Sequence, residues 1–215
     1  GLMTRDTSAG HRRTPPGRDA AGVTTGVLTI DAAVAEVVAR LSSVGGDGPG
    51  ASGVGVLVVA PGGWGTSSVL VAAAAADELA EVTADQLNVF RLTGRRFEQT
   101  ADGAALRELG IDSDDPVAAS GSLLELAATG VLVVHDAHWL DDVTLQALVG
   151  AAERLDGSGG RIVVGQRPVS RAVLGALASA LTRSGPALRL GPLDEDQTAA
   201  RLAEVLQTAV DSGLV

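Results

Sequence analysis

The sequence predicts an α/β domain in which a parallel sheet is covered by helices on both faces. Short apolar runs alternate along the chain with amphipathic helical patterns, which is the arrangement of βαβ units. The run "VLVV", Val131 to Val134, is continuously apolar and rich in β-branched residues, as expected of a strand covered on both faces. A length of 215 residues favours one domain with a core large enough to fold alone.

The helices and strands follow from local patterns. A first helix begins at Asp31, which we interpret as its cap, and a Gly-rich loop follows at 42–53. Strand-like runs then lie at 54–60, 87–92, 131–134 and 162–164, with a weaker one at 187–190. Helical patterns occupy 67–79, the segment after Asp141 and the segment after Pro168. Between residues 95 and 130 we expect two short helices, the second of which begins at Asp115 and Pro116 and ends at Gly130.

The two ends of the chain differ in composition from the middle. Residues 1–22 contain four arginines, prolines and glycines with almost nothing apolar to bury, so we expect a disordered tail. Asp194, with Gln197 three residues later, is typical of the start of a further helix, since this spacing resembles a capping box. The expected organisation is therefore a tail at 1–22, a domain at 23–193, and at 194–215 the start of a helical segment that the chain does not complete.

Composition and charge exclude several classes of protein. No apolar stretch approaches the roughly 20 residues that cross a bilayer, and no signal peptide is evident, so we expect a cytoplasmic protein. The absence of cysteine excludes disulfides and thiolate metal sites. The net charge of -10 argues against direct nucleic-acid binding by this chain, because such binding relies on basic side chains. All 16 basic residues are arginine, and no lysine is present.

A Gly-rich turn follows the first strong strand. In the pattern G-x-x-x-x-G-K-[ST], backbone N–H groups hold phosphates at a helix N-terminus, the lysine adds a positive charge, and the hydroxyl binds magnesium. In "APGGWGTS" Ala60 stands at the first glycine position, Gly65 at the second, Thr66 at the lysine position and Ser67 at the hydroxyl position. A Gly-rich turn between a strand and a helix is common in α/β proteins, so a second motif is needed before it indicates a nucleotide site.

The second motif is "VLVVHDAHWLDD", which ends the most apolar strand. It resembles the ATPase domain of large LuxR-type transcriptional regulators, which belong to the STAND branch of AAA+ P-loop ATPases. In that family two acidic residues end the strand, and an Ala-His-Trp turn and an Asp then open the next helix. Here the matching residues are Asp136, Ala137, His138, Trp139 and Asp141, and His135 stands at the first acidic position. "RIVVGQRP", with Arg167, and "LRLGPLDEDQ" resemble the family's next strand and the passage into its helical lid, so the resemblance spans about 54–206.

The resemblance implies a three-layer P-loop fold with a five-stranded parallel sheet in the order 5-1-4-3-2, counted from the strand at 54–60. From the two motifs we also expect the strand at 131–134 beside the strand at 54–60. The implied nucleotide contacts are Gly62, Gly63, Gly65, Thr66, Ser67 and Arg167. Ser67 and Asp136 would hold magnesium if a nucleotide binds, and Asp136 is the candidate catalytic residue.

The substitutions at Thr66 and His135 lead to two functional hypotheses. The first is a degenerate ATPase module that acts through conformation and contacts with a protein partner or the rest of a larger regulator, with no cofactor or only weak ATP and magnesium binding. The second is a genuine ATP-binding switch of the same family that hydrolyses slowly, in which Arg167 or a partner's arginine offsets the missing lysine. Strain at Ala60 would weaken the site further if this position needs a positive φ.

Several side chains near these motifs have more than one interpretation. His135 and His138 are three residues apart, but a strand end and a turn do not place both on one face, so we expect packed residues and no metal pair. Trp64 either stacks on a base or covers an apolar edge, and Trp139 is expected in the core. Arg167 either meets a phosphate or forms a surface ion pair.

Overall fold

A parallel six-stranded sheet forms the centre of the described part of the chain. The computed structural model describes residues 27–44, 52–76 and 88–193, together with residues 195, 198, 199, 202 and 203. The strands are β1 (Val27–Leu28), β2 (Val54–Val59), β3 (Asn88–Thr93), β4 (Gly130–His135), β5 (Arg161–Gln166) and β6 (Leu188–Leu190). Their order across the sheet is β1-β6-β2-β5-β4-β3, and every neighbouring pair is parallel.

Six α-helices of the described residues connect these strands. They are α1 (Ile30–Ser42), α2 (Thr66–Ala74), α3 (Ala104–Glu108), α4 (Pro116–Thr129), α5 (Asp142–Glu153) and α6 (Ala172–Leu181). Short 3₁₀ turns lie at Arg96–Glu98, Ala137–Trp139 and Thr182–Ser184. None of the described helices combines the length and the apolar character that a membrane crossing requires.

The sheet separates two apolar layers. On one side α1 and α2 pack against strand residues that include Val131 and Val133, and on the other side α3 to α6 pack against residues that include Leu132 and Val134. All six residues of β4 are buried, because successive side chains point into opposite layers and both layers are covered. The domain therefore has three layers, with helices on both faces of a parallel sheet, as the alternation of patterns predicts.

The five strands predicted from the sequence are all present, and they occur in the predicted order, β6-β2-β5-β4-β3. The expectation that the strand at 131–134 lies beside β2 is wrong. Val163 of β5 pairs with Val56 of β2 on one side and with Val133 of β4 on the other, so β5 separates the two strands. The crossover from β2 to β3 leaves space for two strands, and β4 and β5 fill this space in turn. The additional strand β1 extends the sheet at its β6 edge.

Helix boundaries also differ from the predictions in detail. Asp31 is not the cap of α1, because Thr29 occupies the N-cap and its hydroxyl accepts a hydrogen bond from the Ala32 N–H at 3.3 Å. The helix α2 begins at Thr66, one residue earlier than expected, and ends at Ala74 with Ala75 as its C-cap, so the predicted end at 79 is wrong. The helix α4 begins at Pro116 with Asp115 as its N-cap and ends before Gly130, as predicted. The expected tail at 1–22 and the expected cap at Asp194 and Gln197 lie outside the described residues.

Candidate functional site

The carboxyl ends of β2, β5 and β4 meet at one edge of the sheet. Val59 pairs with Gln166, and Val134 pairs with Val164, so the residues that follow β2 and β4 lie at about the level of the end of β5. After β2 the chain continues to β3 at one edge of the sheet, whereas after β5 it continues in the opposite direction, to β6. In open α/β sheets, ligands bind where the connections diverge in this way.

A cavity of about 300 Å³ opens at this point. It brings together every site residue predicted from the sequence, namely Gly62, Gly63, Gly65, Thr66, Ser67, Asp136 and Arg167. Pro61, Ser68 and Gln166 complete its lining. The Gly-rich loop, the end of β4 and the end of β5 therefore form one site.

The loop has the backbone shape of an anion cradle. Gly63 and Gly65 have φ angles of 85° and 91°, a conformation that side chains disfavour. Gly65 is also the N-cap of α2, where a Cβ atom would lie 2.6 Å from the Ile30 Cδ1 atom. No side chain caps α2, so the N–H groups of its first turn are free of side-chain capping partners and available to an anion. Ala60 does not have a positive φ, so the strain considered for this position is absent.

The positive charge of the site comes from Arg167. A Cβ atom on Gly62 would lie 3.0 Å from the Arg167 Cζ atom and 3.1 Å from its Nη1 atom, so the guanidinium rests directly on the loop. Within the part of the chain that the structure describes, no carboxylate forms an ion pair with Arg167. The surface ion pair considered from the sequence is therefore not found among the described residues.

Thr66 does not supply a charge and packs against the sheet. Its Cγ2 atom lies 2.6 Å from the position that a Cβ atom would take on Gly165 of β5. The absence of a side chain at Gly165 is what allows the first turn of α2 to approach β5. The position that carries lysine in the phosphate-loop pattern is therefore occupied by a small residue that stabilises the contact between α2 and the sheet.

His135, the last residue of β4, and Asp136, which follows it, have different environments. His135 is 9% exposed, and its burial lowers the pKa of the imidazole, opposed by Asp136 and assisted by Arg91. Asp136 is 41% exposed in its side chain and has a φ of 50°, the one positive φ outside glycine among the described residues. The backbone of Gly94 packs directly against the Asp136 carbonyl and would admit no side chain. Asp136 lines the cavity, whereas His135 is buried and is not among the lining residues.

His138 belongs to the turn that supports the site. Its carbonyl accepts hydrogen bonds from Gln99 Nε2 at 3.3 Å and from Arg171 Nη1 at 3.2 Å. The side chain is buried, and this burial lowers the pKa of the imidazole, opposed by Asp136 and assisted by Arg167 and Arg171. Among the described residues, no three His, Cys, Asp or Glu side chains gather in a way that would hold a metal ion.

Asp141, the last residue of the family-like turn, has a structural role. Its buried carboxylate caps α5 by accepting from the Thr144 N–H at 2.8 Å and from the Thr144 hydroxyl at 2.6 Å. It also accepts from the Gly103 N–H at 3.1 Å and so connects α5 to the start of α3. Asp142 lies in the first turn of α5 and pairs with Arg171 at 2.5 Å.

The two tryptophans lie outside the cavity lining. Trp64 is partly buried and packs against the apolar layer of α1 and α2, so the structure places it on an apolar edge. Trp139, expected in the core, is only partly buried, and the Arg96 guanidinium lies over its ring at 5.6 Å from the ring centroid.

Sequence reasoning missed Gln166. This residue is 8% exposed and lines the cavity, and its Oε1 atom is buried without a hydrogen-bond partner in the described structure. The available signal is its position at the carboxyl end of the strand "RIVVGQ", where the ligand sites of parallel sheets lie, whereas nothing in the local sequence indicates its burial.

Comparison of the chain with known protein families and with curated proteins gives no match.

Proposed function

We propose that this protein is a degenerate P-loop ATPase module of a LuxR-type transcriptional regulator or related signalling protein, which binds ATP weakly or not at all. One observation carries the proposal. The cavity combines a glycine loop, the uncapped start of α2, Asp136 and Arg167, while the two positions that would complete a magnesium-nucleotide site hold Thr66 and His135. The module would act through its conformation and through contacts with a partner protein or the rest of a larger regulator.

The expected weakness follows from the chemistry of the two substitutions. A hydrogen bond from a charged group contributes about 1.5 to 3 kcal/mol, so the absence of lysine at Thr66 weakens triphosphate binding about tenfold to a hundredfold. Magnesium prefers oxygen ligands, and the imidazole of His135 replaces a carboxylate. Both changes act on the same nucleotide-magnesium complex.

A second candidate is a genuine ATP-binding switch, and the position of Arg167 favours it. The guanidinium lies against Gly62 without a carboxylate partner in the described structure, where it would meet a phosphate held by the loop. Arginine binds phosphate oxygens through two parallel N–H groups, so it is chemically able to replace the lysine contact.

Calorimetric titration of the chain with ATP and excess magnesium separates the two candidates. The degenerate module is expected to show no saturable binding below millimolar ATP. Saturable binding at lower concentration, lost in Arg167→Ala and retained in Arg183→Ala, would overturn that proposal and favour the switch. Arg183 is a matched control because it is exposed and lies near Glu153, outside the cavity.

A further inference from the structure

We propose that two copies of this chain associate through an exposed aromatic turn of one copy and an acidic, partly apolar groove of the other. The turn is Arg96–Glu98, named here the Phe97 turn, and the groove lies between α4 and the segment at 109–113, named here the α4 groove. This association goes beyond the proposed function, because neither surface includes a residue that lines the candidate nucleotide cavity.

The Phe97 turn places an aromatic ring in water beside a free cation. Phe97 is 79% exposed, the highest value among the exposed large apolar side chains of the described residues. The sequence contains two phenylalanines and two tryptophans, so an aromatic ring in solvent is an unusual feature of this chain. Arg96 is also exposed, and its guanidinium lies over the Trp139 ring without a carboxylate partner among the described residues. Aromatic and arginine side chains are the types that most often anchor protein interfaces.

The Phe97 turn is held in place on both sides. Before it, Arg95 forms an ion pair with Glu98 at 3.2 Å. After it, Gln99 Nε2 donates a hydrogen bond to the His138 carbonyl at 3.3 Å. An isolated exposed apolar residue is ordinary, but an anchor on a fixed turn loses little conformational entropy when it binds. The rigidity of the turn therefore favours a docking role for Phe97.

The α4 groove owes its shape to the turn that ends α3. Gly110 has a φ of 75°, and the Ile111 N–H donates to the Leu106 carbonyl at 3.1 Å, which is the Schellman arrangement that reverses a chain after a helix. The segment at 109–113 and α4 then line a cavity of about 410 Å³. This volume is larger than the 300 Å³ of the candidate nucleotide cavity and accommodates an aromatic side chain with a guanidinium beside it.

The α4 groove has the chemistry that complements the Phe97 turn. Leu109, Ile111 and Leu126 supply apolar surface, and Asp112 and Glu125 supply carboxylates. None of its described lining residues is basic. Neither carboxylate forms an ion pair within the part of the chain that the structure describes. Apolar surface with unpaired negative charge matches a phenyl ring with an unpaired guanidinium beside it.

A second copy is the occupant that these surfaces favour, because one chain carries both of them. Within one copy the Phe97 ring is exposed and is not among the residues that line the groove, so the contact has to form between copies. The ring would then bury its apolar surface in the groove, and Arg96 would pair with the groove carboxylates. A contact of this small size gives weak association that depends on concentration.

Sedimentation equilibrium of the full chain, without nucleotide, measures the association from about 10 μM to about 1 mM. About 0.15 M salt screens the net charge of -10 that each copy carries. We expect the average mass to rise with concentration. Phe97→Ala should weaken the association about tenfold to a hundredfold, because no ring is buried. Val71→Ala is the matched control, since Val71 is 51% exposed and lies outside both surfaces.

Charge reversal tests the groove as the acceptor. Arg96→Glu in one chain, and Asp112→Arg with Glu125→Arg in another, should each weaken self-association at least about tenfold, because like charges then meet across the contact. An equimolar mixture of these two variants should associate again, since their reversed charges are complementary. Arg183→Glu, at an exposed position outside both surfaces, should associate as the unchanged chain does. Circular dichroism first confirms that each variant is folded.

An unchanged chain that stays monomeric up to about 1 mM would overturn this association. The same holds if folded Phe97→Ala associates as the unchanged chain does, or if the mixture of charge-reversed variants stays monomeric, because another interface is then responsible. Weakening by the groove variant alone would show that the groove receives a different segment, and would also overturn it. All of these measurements omit nucleotide, so their outcome is distinct from that of the magnesium-ATP titration that tests the proposed function.

Discussion

Replacing Asp141 with alanine should destabilise the domain much more than the same change at another helix cap. The Asp141 side chain is buried, with the residue 2% exposed, and it accepts from three donors: the N–H groups of Gly103 and Thr144 and the Thr144 hydroxyl. Asp115 is a matched control because it also caps a helix, but it is exposed and accepts from the Val117 N–H alone among the described residues, at 3.0 Å.

The magnitude follows from these contacts. Removal of an N-cap side chain costs about 0.5 to 2 kcal/mol. In Asp141→Ala the buried N–H of Gly103 also loses its partner, which adds about 1 to 3 kcal/mol. We therefore expect a decrease of about 1.5 to 5 kcal/mol in the free energy of unfolding. For Asp115→Ala we expect about 0.5 to 1 kcal/mol, because water replaces the lost partner.

Urea denaturation followed by far-UV circular dichroism measures both values, with the slope against urea compared between variants to check that unfolding is equivalent. If the two substitutions lower the free energy of unfolding equally, the bond from Asp141 to α3 makes no contribution, and the reasoning is refuted.

Two further predictions concern the core around the site. Burial lowers the pKa of His135 and of His138 below the ordinary 6.5, so below this pH the unfolded chain binds more protons than the folded one. Their contribution to the free energy of unfolding is complete above pH 6.5 and is lost as the pH falls through the folded pKa values. Urea titrations at pH 7 and pH 5 measure this loss. The prediction would be contradicted if stability did not decrease on acidification, or if His138→Asn lost as much stability on acidification as the unchanged chain. Gly165→Ala should destabilise the domain by about 1 to 3 kcal/mol, because the new Cβ atom would lie 2.6 Å from the Leu70 Cδ1 atom and force α2 outward. Gly175→Ala on α6, where the Cβ atom meets nothing within 4 Å, should be neutral or stabilising. Urea denaturation of both variants measures the difference, and equal effects at the two sites would refute the close contact.

Local signals were sufficient for most helices and strands. Both ends of α4 are predicted correctly from Asp115, Pro116 and Gly130. The apolar run before His135 correctly indicates a strand that is buried on both faces. The predicted site residues lie at the carboxyl ends of three predicted strands. Because parallel strands present these ends at one edge of the sheet, the residues meet in one cavity.

Features that depend on distant partners could not be predicted. β1 has two residues, Val27 and Leu28, which is too short for any periodicity and is defined only by its pairing with β6. The separation of β2 from β4 depends on where β5 inserts. Gln166 acquires its importance from the cavity around it, since an isolated glutamine at a strand end carries no signal of burial.

The central claim is that the loop keeps the shape of a phosphate cradle while Thr66 and His135 remove the charges that a magnesium-nucleotide requires. Because Ala60 shows no positive φ, the loop should need no other correction. The double variant Thr66→Lys with His135→Asp supplies the phosphate contact and the metal ligand. The two changes should help more together than separately, since both act on one complex.

The decisive measurement is a calorimetric titration of the unchanged chain, both single variants and the double variant with ATP, with and without magnesium. Circular dichroism first confirms that each is folded. We predict saturable, magnesium-dependent ATP binding in the double variant, at least about tenfold stronger than in the unchanged chain. A folded double variant that shows no binding at millimolar ATP would contradict the claim, because the loop would then lack a usable phosphate cradle.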